Sequence, residues 1–160
     1  MCYFYNEKMI ENFNNELNIC TADELFTKMH IGLHLCRENF VKSRNFNERL
    51  YDRTAKELLQ KVNVHTFYLE FDTERAGGFE PLQYLPHNKN VVLGVVSSKY
   101  PELEDFDATL ARVYDAAGYI SKRSGRSERE ALEQICVSPQ CGFVSHSSGN
   151  AVGMDDMVPR

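Results

Sequence analysis

Four side chains of the types that bind zinc occur in this sequence at positions that a parallel sheet could bring together. His34 and Cys36 are separated by one residue, so on an extended strand both side chains lie on the same face. Glu70 lies at the end of an apolar segment, and Cys141 lies just beyond another. One imidazole, two thiolates and one carboxylate can form a tetrahedral zinc site. The chemistry predicted from these residues is therefore that of a bound Zn²⁺ ion.

Each of these residues also has an ordinary structural interpretation. A cysteine on an apolar strand is commonly a small buried hydrophobe, and a nearby histidine can be held by a hydrogen bond. Glu70 could pair with Arg75, because a carboxylate in an apolar segment is rarely buried without a partner. Cys136 is expected to pack in the core, so we expect Cys136→Ser to cost about 1–2 kcal/mol of stability.

The elements that must position these residues alternate between strands and helices. Segments rich in apolar and β-branched residues predict four strands, at 29–35, 64–71, 90–97 and 135–138. Apolar residues at helical spacing predict helices at 6–18, 47–61 and from 106 to Gly125, with one helical turn at about 80–85. The Ser127–Glu130 segment has the pattern of a capping box and opens a further short helix to about Glu133.

This order of elements predicts an α/β fold with parallel strand pairing. A closed barrel of eight βα units needs about 250 residues, whereas this chain has 160. Four strands fit either a small open sheet or part of a barrel. In both, functional side chains collect at the C-terminal ends of the strands, which is where all four candidate ligands are predicted. We expect their side chains to converge to within about 4–5 Å of one another.

Composition and charge exclude several classes of function. A net charge of −5 gives no electrostatic reason to expect binding to nucleic acid or to an anionic membrane. No apolar run approaches the roughly 20 residues of a membrane span, and the N-terminus lacks the pattern of a signal peptide. A cytoplasmic location is therefore expected, where reduced cysteines are the rule.

Four segments in one order closely resemble the catalytic barrel of cobalamin-independent methionine synthases. They are GLHLCR at 32–37, LEFD at 69–72, GVVSSK at 94–99 and SPQCG at 138–142. The resemblance is strongest to the shorter, single-barrel branch of that family and runs from about residue 29 to 150. It implies that residues 1–160 form the C-terminal part of such a domain, a partial TIM-type (β/α)8 barrel.

The resemblance also implies a function and roles for individual residues. It implies an S-methyltransferase of methionine biosynthesis, which takes homocysteine and a methylated folate and holds Zn²⁺ through His34, Cys36, Glu70 and Cys141. Coordination to zinc lowers the pKa of a thiol, so homocysteine can react as a thiolate. Lys99 lies where larger family members carry a histidine proposed to move protons, and it is the candidate catalytic residue; a solvated surface charge is the alternative. Asp72 and Arg75 are expected to support Glu70.

The sequence departs from the family pattern in ways that favour an alternative function. The strands that carry most substrate contacts in the family precede the first matched strand, and the last strand lacks its closing helix. Glu38 stands where relatives commonly have glycine. The alternative is a truncated fragment without turnover, which acts as a zinc-binding or dimerising module and self-associates through exposed sheet edges. Decarboxylase chemistry on a related barrel is not supported, because such sites use no His-x-Cys…Glu…Cys set.

Overall fold

The computed structural model describes residues 7–21, 28–35, 50–73, 76–143 and 152–156. The helices are α1 (Glu7–Thr21), α2 (Leu50–Lys61), α3 (Phe106–Ser124) and α4 (Glu128–Leu132), with short 3-10 helices at Glu80–Tyr84 and Met154–Asp156. The strands are β1 (Gly32–Leu35), β2 (Thr66–Glu70), β3 (Asn90–Val96) and β4 (Ile135–Pro139). Among these described helices, none is long and apolar enough to cross a lipid bilayer.

The four strands form one parallel sheet in the order β1-β2-β3-β4. This is the predicted α/β architecture, and it corresponds to part of a (β/α) barrel. All four strands point the same way, so their C-terminal residues lie along a single edge of the sheet. That edge carries His34 on β1 and Glu70 on β2.

One face of the sheet packs against the helices, and the opposite face carries the candidate site. On β2, Phe67 and Leu69 are 0% and 2% exposed and belong to the hydrophobic core. Tyr68 lies on the other face and is 39% exposed, as the alternation of side chains along a strand requires. Glu70 shares the face of Tyr68 but is only 1% exposed. The candidate site therefore combines an open sheet face with one deeply buried carboxylate.

Local signals in the sequence set the ends of α3 and α4. The Asp105 carboxylate accepts a hydrogen bond from the Ala108 backbone N–H at 2.8 Å and caps α3. Gly125 ends that helix with a φ of 69°, a left-handed conformation that glycine adopts without strain. Ser127 and Glu130 form the predicted capping box of α4. These caps fix the ends of the two helices that connect β3 to β4.

Lys89, just before β3, holds the C-terminal end of α2. Its ammonium is buried and donates hydrogen bonds to the backbone carbonyls of Leu59 and Val62. Burial lowers the pKa of this lysine. A cation at a helix C-terminus interacts favourably with the helix dipole, so Lys89 ties α2 to the sheet.

One expectation about burial is wrong, and one helix is buried over only part of its length. The apolar stripe of α3 is buried only at its C-terminal half: Ala117 and Ile120 are inaccessible to solvent, whereas Phe106 is 76% exposed. Helical spacing shows which residues share a face, but not how far along the helix that face is covered. Cys136 is exposed rather than packed in the core, because it lies on β4 at the edge of the described sheet, where Val137 on the other face is also 49% exposed.

Candidate metal site

Three of the four predicted ligands converge at the C-terminal edge of the sheet. The donor atoms of His34, Glu70 and Cys141 all lie within 4.8 Å of one another. His34 Nε2 is 3.8 Å from Glu70 Oε1 and 4.0 Å from Cys141 Sγ. The structure thus brings together residues that are 107 positions apart in the sequence.

This spacing suits a tetrahedral zinc ion. Donor atoms at 2.0–2.3 Å from a tetrahedral centre lie roughly 3.3–3.8 Å from one another, close to the distances between His34 and its two neighbours. Glu70 Oε1 is buried and has no hydrogen-bond partner among the residues that the structure describes. A buried carboxylate oxygen without a donor is costly unless a cation satisfies it. The donor set and the Glu70 oxygen both fit a metal.

Other predicted site residues fall in different places. Cys36 and Arg75 lie outside the described residues, so a ligand role for Cys36 and a pairing of Arg75 with Glu70 stay predictions. The ammonium of Lys99 lies 3.1 Å from Asp72, and these side chains are 9% and 3% exposed. Lys99 is therefore a buried partner of Asp72 and not a solvated surface charge. Asp72 follows Glu70 by two residues, and its carboxylate pairs with Lys99.

Cys141 reaches its neighbours by crossing over β3. Adjacent strands are about 4.8 Å apart, so β4 and β1 would be separated by about 14 Å in a flat sheet. The loop after β4 folds back across the end of β3 at Gly94. A Cβ atom at Gly94 would lie 2.6 Å from Gln140 Cα and 3.1 Å from the Leu69 carbonyl oxygen. Glycine at this position lets the Cys141 loop approach Glu70 and His34.

We expect Gly94→Ala to displace this loop. The new methyl group would collide with backbone atoms, which cannot move aside as a flexible side chain can. We expect a loss of about 1–3 kcal/mol in the free energy of unfolding, measured by urea denaturation, together with weaker metal binding. Gly118→Ala in α3 is the control, because a Cβ there meets nothing within 4 Å and alanine favours the helix. Equal stability of the two variants would contradict the close packing.

Tyr51 ties together the two strand ends that carry His34 and Glu70. Its hydroxyl donates a hydrogen bond to the Leu35 carbonyl oxygen at 3.2 Å and accepts one from the Glu70 N–H at 3.1 Å. Tyr51 is 2% exposed and packs against Phe71, with ring centroids 5.4 Å apart. The first turn of α2 therefore fixes the relative position of β1 and β2 where the site begins.

We expect Tyr51→Phe to destabilise the fold by about 1–3 kcal/mol, because it leaves a buried carbonyl and a buried N–H without the hydroxyl. Chemical denaturation measures the effect. Tyr119→Phe is the matched control, since that hydroxyl bonds Glu80 at 3.2 Å on the surface, and its loss should change stability little. A Tyr51→Phe variant as stable as Tyr119→Phe would show that the bridge between the strand ends contributes nothing.

A cleft of about 360 Å³ opens beside the three converging residues. Its lining includes His34, Tyr68, Ser138 and Cys141. Two of these, His34 and Cys141, are candidate metal ligands, and the other two carry hydroxyl groups. A small polar molecule in this cleft would contact both the donor set and hydrogen-bonding groups.

The pattern of the sequence did not reveal several residues that build this site. Tyr51 is recognisable only as one member of a helical stripe, because a stripe does not show what a hydroxyl contacts. The functions of Gly94 and Gln140 depend on a contact between segments 46 residues apart. The available signal was their position inside the GVVSSK and SPQCG segments, beside predicted functional residues.

Comparison with known proteins finds similarity to longer chains. The chain is 36% identical over 145 residues to the uncharacterized protein YxjG of Bacillus subtilis, and 35% identical over 139 residues to the uncharacterized protein YxjH of the same organism. These matches cover 90% and 86% of this chain but 35% and 34% of the relatives. The chain therefore spans about a third of the length of these curated relatives. No family model matches it.

A solved structure is similar in fold. It is a provisionally named vitamin-B12-independent methionine synthase from Listeria monocytogenes, with a TM-score of 0.53 and 25% sequence identity. The alignment covers 89% of this chain and 37% of the Listeria protein. The fold of this chain is thus similar to a part of a protein given that name.

Proposed function

We propose that this chain carries the zinc-binding part of an S-methyltransferase that transfers a methyl group to homocysteine. The observation that carries the proposal is the convergence of His34, Glu70 and Cys141 within 4.8 Å at the C-terminal edge of a parallel sheet. Similarity to a provisionally named methionine synthase supports the class of reaction. The order of the sequence segments that resemble that family supports it independently.

His34, Cys36, Glu70 and Cys141 would hold the metal in this proposal. A bound zinc ion supplies a Lewis acid that lowers the pKa of a coordinated thiol. Glu70 brings a buried negative charge to the site, and its Oε1 has no competing hydrogen-bond donor among the described residues. His34 is exposed and faces the cleft, so it leaves one side of the donor set open to a substrate.

The cleft beside the donor set would bind the substrate thiol. Its volume of about 360 Å³ is within the usual range for sites that hold a small molecule. The Tyr68 hydroxyl would donate a hydrogen bond to a polar group of homocysteine. Ser138 Oγ, which donates to the Pro139 carbonyl oxygen at 2.8 Å, would accept one. A methylated folate is the methyl donor that the family resemblance implies, and the open face of the sheet offers a surface on which it could lie.

Lys99 would act in this site through Asp72. Its ammonium is buried against that carboxylate at 3.1 Å, and Asp72 lies two residues beyond Glu70. We assign Lys99 the role of fixing the end of β2, which positions Glu70. The proton-transfer role that the resemblance implies for Lys99 stays a prediction.

The proposal is tested by metal analysis and a methyl-transfer assay on the same preparation. We expect about one zinc per chain and formation of methionine from homocysteine and methylated folate. Cys141→Ser is the negative control, and it should lose both. A clean preparation that takes up no zinc would contradict the metal site and the reaction together.

A metal-binding or dimerising module without turnover is the second candidate. The exposure of the site-bearing face favours it, since Tyr68 is 39% exposed and Cys136 is also exposed. Catalytic sites usually exclude water, which the described residues do not achieve at this face. One zinc per chain without methionine formation, in a self-associated chain, would favour this candidate. Turnover by a monomer would contradict it.

A further inference from the structure

Both residues that flank Cys141 are bonded to the same serine. The Gln140 side chain accepts a hydrogen bond from the Ser98 N–H at 2.6 Å and donates one to Ser98 Oγ at 3.0 Å. Ser98 Oγ lies 3.2 Å from the Gly142 carbonyl oxygen and donates to it. Cys141 is therefore held on both sides by contacts with Ser98.

The side chains of Gln140 and Ser98 are buried, and backbone contacts of Gln140 add to the hydrogen bonds between them. Gln140 is 2% exposed and Ser98 is 0% exposed. The Gln140 N–H also donates to the Val96 carbonyl oxygen at 2.9 Å, and its Cα lies against Gly94. A buried amide with good partners fixes local geometry, because breaking any one contact leaves a polar group without solvent.

Cys141 itself has a position that needs such support. It lies past the end of β4 and is only partly buried, yet its sulfur must stay near His34, on the strand at the opposite side of the sheet. Flexible loops place ligands poorly, and metal sites depend on outer contacts that fix their ligands. The Gln140–Ser98 contacts supply that constraint from β3, the strand that the loop crosses.

We propose that Gln140 is a positioning residue for Cys141 and acts by clamping the loop after β4 onto Ser98. The metal-binding consequence of this inference rests on the proposed function. The effect of Gln140 on the position of the Cys141 thiol does not depend on the proposed function, and it can be measured without metal. Gln140 also lines the cleft beside the donor set, so both measurements below are made without substrate and follow Cys141 itself.

The chain offers a matched control in Gln134, at the other end of β4. Gln134 is also a buried glutamine, 8% exposed, and its side-chain amide donates to the carbonyls of Pro86, His87 and Lys89. It therefore anchors a loop in the same chemical way, but away from the Cys141 loop. Gln140→Met and Gln134→Met remove the same groups from opposite ends of one strand.

The first measurement is the rate at which a thiol reagent labels Cys141 in the metal-free chain, followed by mass spectrometry of its peptide. We expect Gln140→Met to raise this rate about tenfold, because the loop opens more often, and Gln134→Met to leave it unchanged. Ser98→Ala, which removes the hydroxyl contacts to residues 140 and 142, should act like Gln140→Met and replaces it if that variant does not fold. Equal labelling of Cys141 in all folded variants would overturn the proposal.

The second measurement is titration with Co²⁺, followed by its sulfur-to-metal charge-transfer absorption. We expect Gln140→Met to weaken binding by about 10- to 100-fold and to reduce the charge-transfer band, while Gln134→Met keeps both. An unchanged band and affinity in Gln140→Met would overturn the positioning role. A parent chain that binds no Co²⁺ would contradict the proposed function, and the labelling result would then decide the positioning role alone.

Discussion

Replacing Cys141 with serine is expected to abolish tight zinc binding. A thiolate is a softer donor than an imidazole or a carboxylate, and a serine hydroxyl is a poor zinc ligand at neutral pH. Loss of an outer contact to a ligand typically costs 10- to 100-fold in affinity, so loss of the ligand itself should cost more than about 100-fold. Competition with a chromophoric chelator measures this, using chains that were first stripped of metal.

Cys136→Ser is the matched control for this prediction. Cys136 lies on β4, just before the loop that carries Cys141, and it is exposed. We expect its replacement to leave zinc affinity unchanged and to alter stability by less than about 0.5 kcal/mol, as for most surface positions. This value replaces the larger loss expected when Cys136 was assigned to the core. Equal zinc affinity in Cys141→Ser and the parent would show that the ligand is wrongly assigned.

Replacing Lys99 with methionine is expected to lower the free energy of unfolding by about 3–5 kcal/mol. The change removes one partner of a buried ion pair and leaves the Asp72 carboxylate, whose side chain is 3% exposed, without its cation. Urea denaturation followed by circular dichroism measures the loss. Because Asp72 is two residues beyond Glu70, we also expect a smaller decrease in zinc affinity.

Two further variants show whether stability is lost because the ion pair is buried or simply because a lysine charge is removed. Lys61 forms surface ion pairs with Glu7 and Glu57, so Lys61→Met should change stability little. Adding Asp72→Leu to Lys99→Met should recover much of the lost stability, because an apolar pair can replace a buried ion pair. A Lys99→Met variant as stable as Lys61→Met would contradict the buried pair.

Local and periodic signals in the sequence predicted most of the secondary structure. The apolar run of β3 is typical of a parallel strand buried on both faces, and residues 91–95 are all buried. The capping box at Ser127 and the glycine after α3 also occur where they were expected. These features depend on residues close in sequence, so they can be recognised without knowledge of the tertiary fold. Parallel pairing followed from the alternation of strands and helices.

Tertiary contacts explain what the sequence pattern missed. The clustering of His34, Glu70 and Cys141 was predictable because parallel strands present their C-terminal ends at one edge. The exposure of Cys136 was not, because it depends on how little of the edge strand β4 is covered by other parts of the described chain. The contacts of Tyr51 with Leu35 and Glu70, and of Gln140 with Ser98, join segments far apart in sequence. Residue type and spacing do not encode such pairs.

X-ray absorption at the zinc edge of the zinc-loaded parent chain tests the central claim most directly. The account predicts two sulfur neighbours at about 2.3 Å and two nitrogen or oxygen neighbours at about 2.0–2.1 Å, from Cys36, Cys141, His34 and Glu70. A spectrum with nitrogen and oxygen neighbours alone would contradict it. Such a result would mean that neither cysteine holds the metal.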